Sequence, residues 1–145
     1  MAAKPPTIVD LKWIGELKFS GSSGNASITL DSAGVAGPSP VQALAFAFAG
    51  CMATDVAYIL TRARQPLRGL GAHLVADRAA DDPHRMLRMT LLLLVEGDVP
   101  RDAVDRAIAL SREKYCSVWH SMRQDIELAV SVEISTGGRE PFSRE

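Results

Sequence analysis

Hydrophobic and polar positions in the first thirty residues follow a pattern that predicts β-strands. Residues 7–20 are rich in β-branched and aromatic side chains, and a turn-forming run at 20–25 follows them. Residues 26–30 then alternate between apolar and polar side chains, as in a half-buried strand. We therefore predict two or three N-terminal strands joined by tight turns in an antiparallel meander.

A long apolar segment comes next, and its first residues carry the signals of a helix start. Ser39 suits the N-cap, Pro40 suits the first helical position, and Gln42 completes an S-x-x-Q capping box. The predicted helix continues to Arg64 and ends before Pro66. It is apolar nearly all round and contains Asp55, whose charge at membrane depth would cost about 2.5–3.5 kcal/mol. We therefore expect a helix buried inside a protein rather than a membrane span.

The second half of the chain alternates again before and after a second helical pattern. Positions 70–76 and 87–95 predict two strands, and positions 128–134 predict the last one. Helical spacing from an Asp98 cap to Tyr115 predicts the second main helix, and a short helix is expected at Val118–Arg123.

These elements predict an α+β fold class, with antiparallel sheets packed around two main helices, one of them long and buried. We expect a single domain over residues 1–145, with a loose polar tail from about residue 137.

Composition limits the possible functions. The chain is 47% hydrophobic and 23% charged, which is ordinary for a soluble protein. Sixteen basic and 17 acidic residues give a net charge of -1, so no basic surface for nucleic acid is indicated. Residues 1–6 lack the apolar stretch of a secretory signal. We expect a cytoplasmic protein, bound to neither membrane nor nucleic acid, whose two cysteines are thiols rather than a structural disulfide.

The two cysteines are the main candidates for chemistry. Cys51 lies within the long helix, and Cys116 lies at the end of the second helix. A buried cysteine is more often an inert small hydrophobe than a nucleophile, and the spacing does not show that the two meet. The chain has no C-x-x-C motif and no His/Cys cluster in sequence, so neither a zinc site nor a cofactor is expected.

Four motifs in order resemble the OsmC/Ohr family. They are Gly37–Pro40 before the long helix, Ala49–Val56 around Cys51, then Gly97–Pro100, and Glu113–Val118 around the second cysteine. The resemblance runs over roughly residues 10–135, and the two cysteine motifs are specific together. It implies an OsmC-like fold in an intertwined homodimer, in which N-terminal strands join the other subunit's sheet.

The resemblance also implies a reaction. Members with peroxidase activity attack an organic hydroperoxide with the first cysteine, and the resulting sulfenic acid condenses with the second cysteine. An external thiol, a dithiol or a lipoyl-type reductant, then reduces the disulfide. Carried over to this chain, Cys51 would be the peroxidatic cysteine and Cys116 the resolving one.

This sequence departs from the family's dedicated peroxidases at two positions. Those proteins carry an Arg on the N-terminal strands, whereas no Arg precedes Arg62 here, and they carry a Glu where this chain has Val41. The candidate activating cation is therefore Lys12, Lys18 or a cation of the partner chain. Lysine offers a point charge instead of the bidentate guanidinium, so weaker activation of a thiolate is expected.

Three further residues are candidate supporting groups, each with a structural alternative. Gln42 is either a helix cap or a wall of the pocket. Asp55 follows Cys51 by four residues on the same helical face and would disfavour a thiolate unless paired. His120 follows Cys116 by four residues and is either a base or an isolated surface residue.

Two hypotheses of function stay open on the sequence. The first is a thiol-dependent peroxidase for organic hydroperoxides that acts in oxidative stress defence. The second is a non-catalytic binding protein that holds a small apolar or oxidised ligand near Cys51.

Overall fold

Short strands and tight turns form the N-terminal unit of the fold, as the alternation predicts. The structure, a computed structural model, describes residues 2–136, so the tail predicted from about residue 137 lies outside the described residues. By its contacts the chain divides into two compact units, Met1–Leu44 and Ala45–Glu145. The single domain predicted from the sequence stays a prediction.

The first unit is a three-stranded antiparallel meander. Its strands are β1 (Asp10–Gly15), β2 (Lys18–Ser23) and β3 (Ala26–Asp31), in the order β1-β2-β3. Asp31 ends the meander and accepts hydrogen bonds from the backbone N–H groups of Ala36 at 3.0 Å and Ala33 at 2.9 Å. These bonds hold the pKa of the Asp31 carboxyl below its ordinary value and fix the loop that leads to the long helix.

The long helix α1 (Pro40–Arg62) begins with the predicted capping box. The Gln42 N–H donates to Ser39 Oγ at 3.1 Å, and the Ser39 N–H donates to Gln42 Oε1 at 2.9 Å. These reciprocal bonds satisfy two backbone donors that the start of a helix otherwise leaves unpaired. At its other end the helix stops at Arg62, two residues before the predicted Arg64.

The expectation that α1 is buried on all sides does not hold within one chain. Its buried residues form one stripe at a spacing of four, while other apolar side chains on it are exposed, Phe46 by 71% and Tyr58 by 62%. The stripe consists of Phe48, Met52, Val56 and Leu60. By length and composition the helix could span a membrane, a property that it shares with core helices of soluble proteins.

The second unit is built on a mixed sheet. Its strands are β4 (Leu67–Arg78), β5 (Met86–Gly97) and β6 (Glu127–Ser135), in the order β4-β5-β6. Strands β4 and β5 pair antiparallel, but β6 pairs parallel to β5, which corrects the prediction of purely antiparallel sheets. The reason is the helical connection between β5 and β6, which returns the chain to the starting end of β5. The α+β class is confirmed.

That connection contains α2 (Arg101–Leu110), a π-helical turn at Ser111–Tyr115, which we call the π segment, and the short helix α3 (Ser117–His120). The N-cap of α2 is Pro100 and no side chain caps it, so the predicted Asp98 cap is wrong. The predicted short helix begins one residue earlier than Val118 and ends before Arg123.

Gly97 lets the chain turn from β5 toward α2. Its φ of 138° lies in the region that favours glycine, and a Cβ there would collide with the carbonyl of Pro66. The motif Gly97–Pro100 therefore has a structural reason, because no other residue allows this close approach.

Candidate thiol site

Cys51 lies in the middle of α1, next to the buried stripe. It follows Phe48 by three residues and precedes Met52, both fully buried, and its own side chain is half-buried. This position gives the thiol a rigid backbone and partial access to solvent.

The π segment determines where Cys116 lies. Its wider turn ends with the Cys116 N–H donating to the carbonyl of Ser111, five residues earlier, at 2.8 Å. Cys116 is fully buried and begins α3, where its Sγ accepts a hydrogen bond from the Trp119 N–H at 3.4 Å. The Trp119 ring packs against Phe48 of α1, with ring centroids 5.8 Å apart. These contacts hold Cys116 against the long helix.

The structure brings three of the predicted site residues together. Cys51 Sγ, Cys116 Sγ and a carboxylate oxygen of Asp55 all lie within 4.8 Å of one another. A disulfide has an S–S length of about 2.05 Å, so the two sulfurs need to approach by at most about 2.8 Å to form one. Both cysteines are free thiols in this structure.

Ser111 links Asp55 to the π segment. Its hydroxyl donates to Asp55 Oδ2 at 2.7 Å, and its carbonyl accepts the bond from Cys116 described above. The same residue therefore fixes the carboxylate on one side and the backbone of the second cysteine on the other. Ser111 is fully buried and was not among the residues predicted from the sequence.

The surroundings disfavour ionisation of Cys116. Burial, together with the neighbouring Cys51 and the Asp55 carboxylate, raises the pKa of the Cys116 thiol from 9.0 to about 11, although the Trp119 N–H acts in the opposite direction. At neutral pH this thiol is therefore protonated and able to donate a hydrogen bond.

The remaining predicted residues take other positions. Gln42 is the helix cap described above. Lys12 is exposed on β1, and Lys18 on β2 pairs with Glu16 at 3.7 Å in the first unit. His120 is exposed, and its Nε2 bonds the carbonyl of Arg112 at 3.0 Å.

A cleft of about 1030 Å³ lies beside the thiol site in the second unit. Asp55 lines it, together with Tyr58 and Arg62 of α1, Arg106 of α2 and Tyr115 of the π segment. The carboxylate that lies within 4.8 Å of both sulfurs thus also lines an open, partly apolar groove with two guanidinium groups.

Comparison with known proteins identifies the family. The profile of the family described as OsmC-like protein matches residues 31–131. Protein YhfA of Escherichia coli K12 is 34% identical over 127 residues, which cover 86% of this chain and 95% of YhfA.

Solved structures share the fold. A protein of Aquifex aeolicus VF5 matches with a TM-score of 0.84 and 26% identity, over 91% of this chain and 98% of its own. The organic hydroperoxide resistance protein OhrB of Bacillus subtilis matches with a TM-score of 0.62 and 14% identity, over 88% of this chain and 98% of its own. This fold favours the core-helix interpretation of α1 and a soluble protein. The chain belongs to the OsmC family.

Proposed function

We propose that this protein is a thiol-dependent peroxidase that reduces organic hydroperoxides through Cys51 and Cys116. The observation that carries the proposal is the approach of the two sulfurs to within 4.8 Å, from helices far apart in sequence. Membership of the OsmC family supports a redox role at the level of the family. The different exposure of the two thiols supports a peroxidatic role for Cys51 and a resolving role for Cys116, since half-buried Cys51 is accessible to a substrate and buried Cys116 is not.

The proposed reaction has three steps. The Cys51 thiolate attacks one oxygen of the hydroperoxide, the O–O bond breaks, and the alcohol leaves after taking up a proton. The Cys51 sulfenic acid then condenses with the Cys116 thiol to give a disulfide and water. An external dithiol reduces the disulfide, returns both thiols and is itself oxidised; a lipoyl-type dithiol is the reductant that we propose.

Asp55 favours a second candidate function, a non-catalytic binding protein for a small apolar or oxidised ligand. A carboxylate within 4.8 Å of both sulfurs opposes formation of a thiolate at the site. For the peroxidase to act, a cation has to offset this charge, and Lys12, Lys18 or a cation of the partner chain remains our candidate for that role.

Consumption of cumene hydroperoxide in the presence of dithiothreitol tests the proposal. The wild-type protein should turn over, and Cys51→Ser should be inactive. Cys116→Ser should be oxidised once to the sulfenic acid, which dimedone traps, and should then overoxidise instead of forming the intramolecular disulfide. Thiols that survive stoichiometric hydroperoxide without a mass change would instead support the binding protein.

We also propose that the protein is a cytoplasmic homodimer. The exposed apolar side chains of α1, with Phe46 exposed by 71%, support a partner surface on this helix. Sedimentation equilibrium at micromolar concentration should give twice the chain mass of 15.6 kDa. Phe46→Glu should shift the equilibrium between monomer and dimer toward the monomer. A matched exposed change on β4, Val75→Glu, should leave that equilibrium unchanged.

A further inference from the structure

A group of three metal-binding side chains lies at the thiol site, although their spacing in the sequence gives no sign of one. Two cysteine sulfurs and one carboxylate oxygen within 4.8 Å of one another are a donor set that suits a thiophilic divalent ion. Within residues 2–136, this is the one group of three or more His, Cys, Asp or Glu side chains that meets this criterion.

The geometry is close to that of a tetrahedral zinc centre. Zinc binds sulfur at about 2.3 Å and carboxylate oxygen at about 2.0–2.2 Å, so two ligand atoms of one tetrahedral ion are about 3.6–3.8 Å apart. The present spacing, at most 4.8 Å, requires movements of about 1 Å, which small side-chain rotations provide. We propose that Cys51, Asp55 and Cys116 bind one Zn²⁺ ion in the reduced protein, with water in the fourth position.

The carboxylate is already oriented for this role. The Ser111 hydroxyl donates a hydrogen bond to Asp55 Oδ2 at 2.7 Å, and hydrogen bonds of this kind orient the side chains that bind a metal directly. The rigid backbone of α1 presents Cys51 and Asp55 one helical turn apart, and Cys116 directly follows the π segment. The ligand set therefore comes from two elements that hold their positions without the metal.

The donor set selects zinc over monovalent copper. Cu(I) prefers soft thiolate and thioether ligands, whereas Zn²⁺ also accepts a carboxylate oxygen. Loss of Asp55 should therefore weaken Zn²⁺ binding but leave Cu(I) binding nearly unchanged. Zinc binding and disulfide formation exclude each other, because both use the same two sulfurs.

Zinc binding should release a proton from the second cysteine. The Cys116 thiol is protonated at neutral pH, and a coordinated thiol is deprotonated, so one Zn²⁺ releases at least this proton to the buffer. Replacement of Cys116 by serine should abolish the release of this proton. Surface binding, for example at His84 and Asp82, whose Nε2 and Oδ1 lie 3.2 Å apart, would not release it.

The test is calorimetric titration of the reduced full-length protein with Zn²⁺ in two buffers of different ionisation enthalpy, with no hydroperoxide present. We expect one ion per chain and release of at least the Cys116 proton. Ser111→Ala should weaken binding by about 10–100-fold, as loss of an orienting partner does, and Asp55→Ala, which removes a ligand, should weaken it at least as much. His84→Ala and Asp77→Asn serve as controls and should bind as the wild type does.

Cobalt provides a second readout. Co²⁺ bound to the wild type should show thiolate-to-metal absorption, which Cys51→Ser and Cys116→Ser should reduce and which the disulfide form should lack. Zn²⁺ affinity equal to that of the wild type in both serine variants, or release of no proton by the wild type, would overturn the proposal. Neither result depends on peroxide turnover, so the metal site and the peroxidase can fail independently.

Discussion

The suppressed ionisation of Cys116 can be measured by comparing its alkylation in the native and the urea-unfolded protein. The perturbation is unfolding itself, because it returns the thiol to water and removes Cys51 and Asp55 from its surroundings. At pH 8, a thiol with a pKa of 9.0 is about 9% ionised, whereas one with a pKa of about 11 is about 0.1% ionised. Since the thiolate is the nucleophile, ionisation alone should slow native Cys116 by about 100-fold.

The assay is iodoacetamide labelling followed by peptide mass spectrometry between pH 7.5 and 9.5. In the native protein, the labelling rate of Cys116 should rise about tenfold per pH unit over the whole range. In urea, the rate should begin to level off near pH 9. Half-buried Cys51 is in the same molecule and should be labelled first, which shows that the reagent reaches the site.

Asp55→Asn isolates the contribution of the carboxylate. It removes one of the charges that raise the pKa of Cys116 but keeps an acceptor for the Ser111 hydroxyl, so native Cys116 should be labelled faster. Asp77→Asn, an exposed change on β4, is the matched control, and urea denaturation of each variant excludes faster unfolding as the cause. A native rate within about threefold of the unfolded rate at pH 8 would refute the reasoning.

Three further predictions concern stability. The pKa of Cys116 is raised in the folded state, so its contribution to the free energy of unfolding is fully present below pH 9 and is lost as pH rises toward about 11. Urea titrations over this pH range should show a loss of about 2–3 kcal/mol in the wild type that Cys116→Ala lacks. Ser39→Ala should lower the free energy of unfolding by about 0.5–2 kcal/mol because it removes one half of the capping box, and an equal effect of the nearby Ser32→Ala would contradict this. Gly97→Ala should cost about 1–3 kcal/mol, since it forces a strained φ and a clash with Pro66, whereas Gly50→Ala, with open space in α1, should be neutral or stabilising.

The sequence predicted a helix start or a strand well where a capping motif or a regular alternation of apolar and polar residues marks it. The capping box of α1 and the alternating strands β5 and β6 follow from the nearest neighbours in sequence, and they are confirmed. The parallel pairing of β6 was missed because alternation reports which face of a strand is buried and carries no information on its direction.

The site was predicted in part, for a different reason. The two cysteines came from a family resemblance, since nothing in their spacing places them together. Ser111 was missed because a serine five residues before a cysteine has no recognisable pattern until a π segment brings its carbonyl and hydroxyl to the same site. The metal-binding group was missed because its members, at positions 51, 55 and 116, meet only through tertiary packing.

The π segment allows the chain to carry one extra residue before the second cysteine. A bond that spans five residues accommodates one residue more than a regular α-helical turn. If one residue within Ser111–Tyr115 were deleted, the Cys116 N–H could still donate to the Ser111 carbonyl, now in a regular α-helical turn, and the residues that follow would keep their direction around the helix axis. A relative that is one residue shorter at this point should therefore still direct its cysteine toward the long helix, so a gap in an alignment here does not indicate that the two cysteines lie apart.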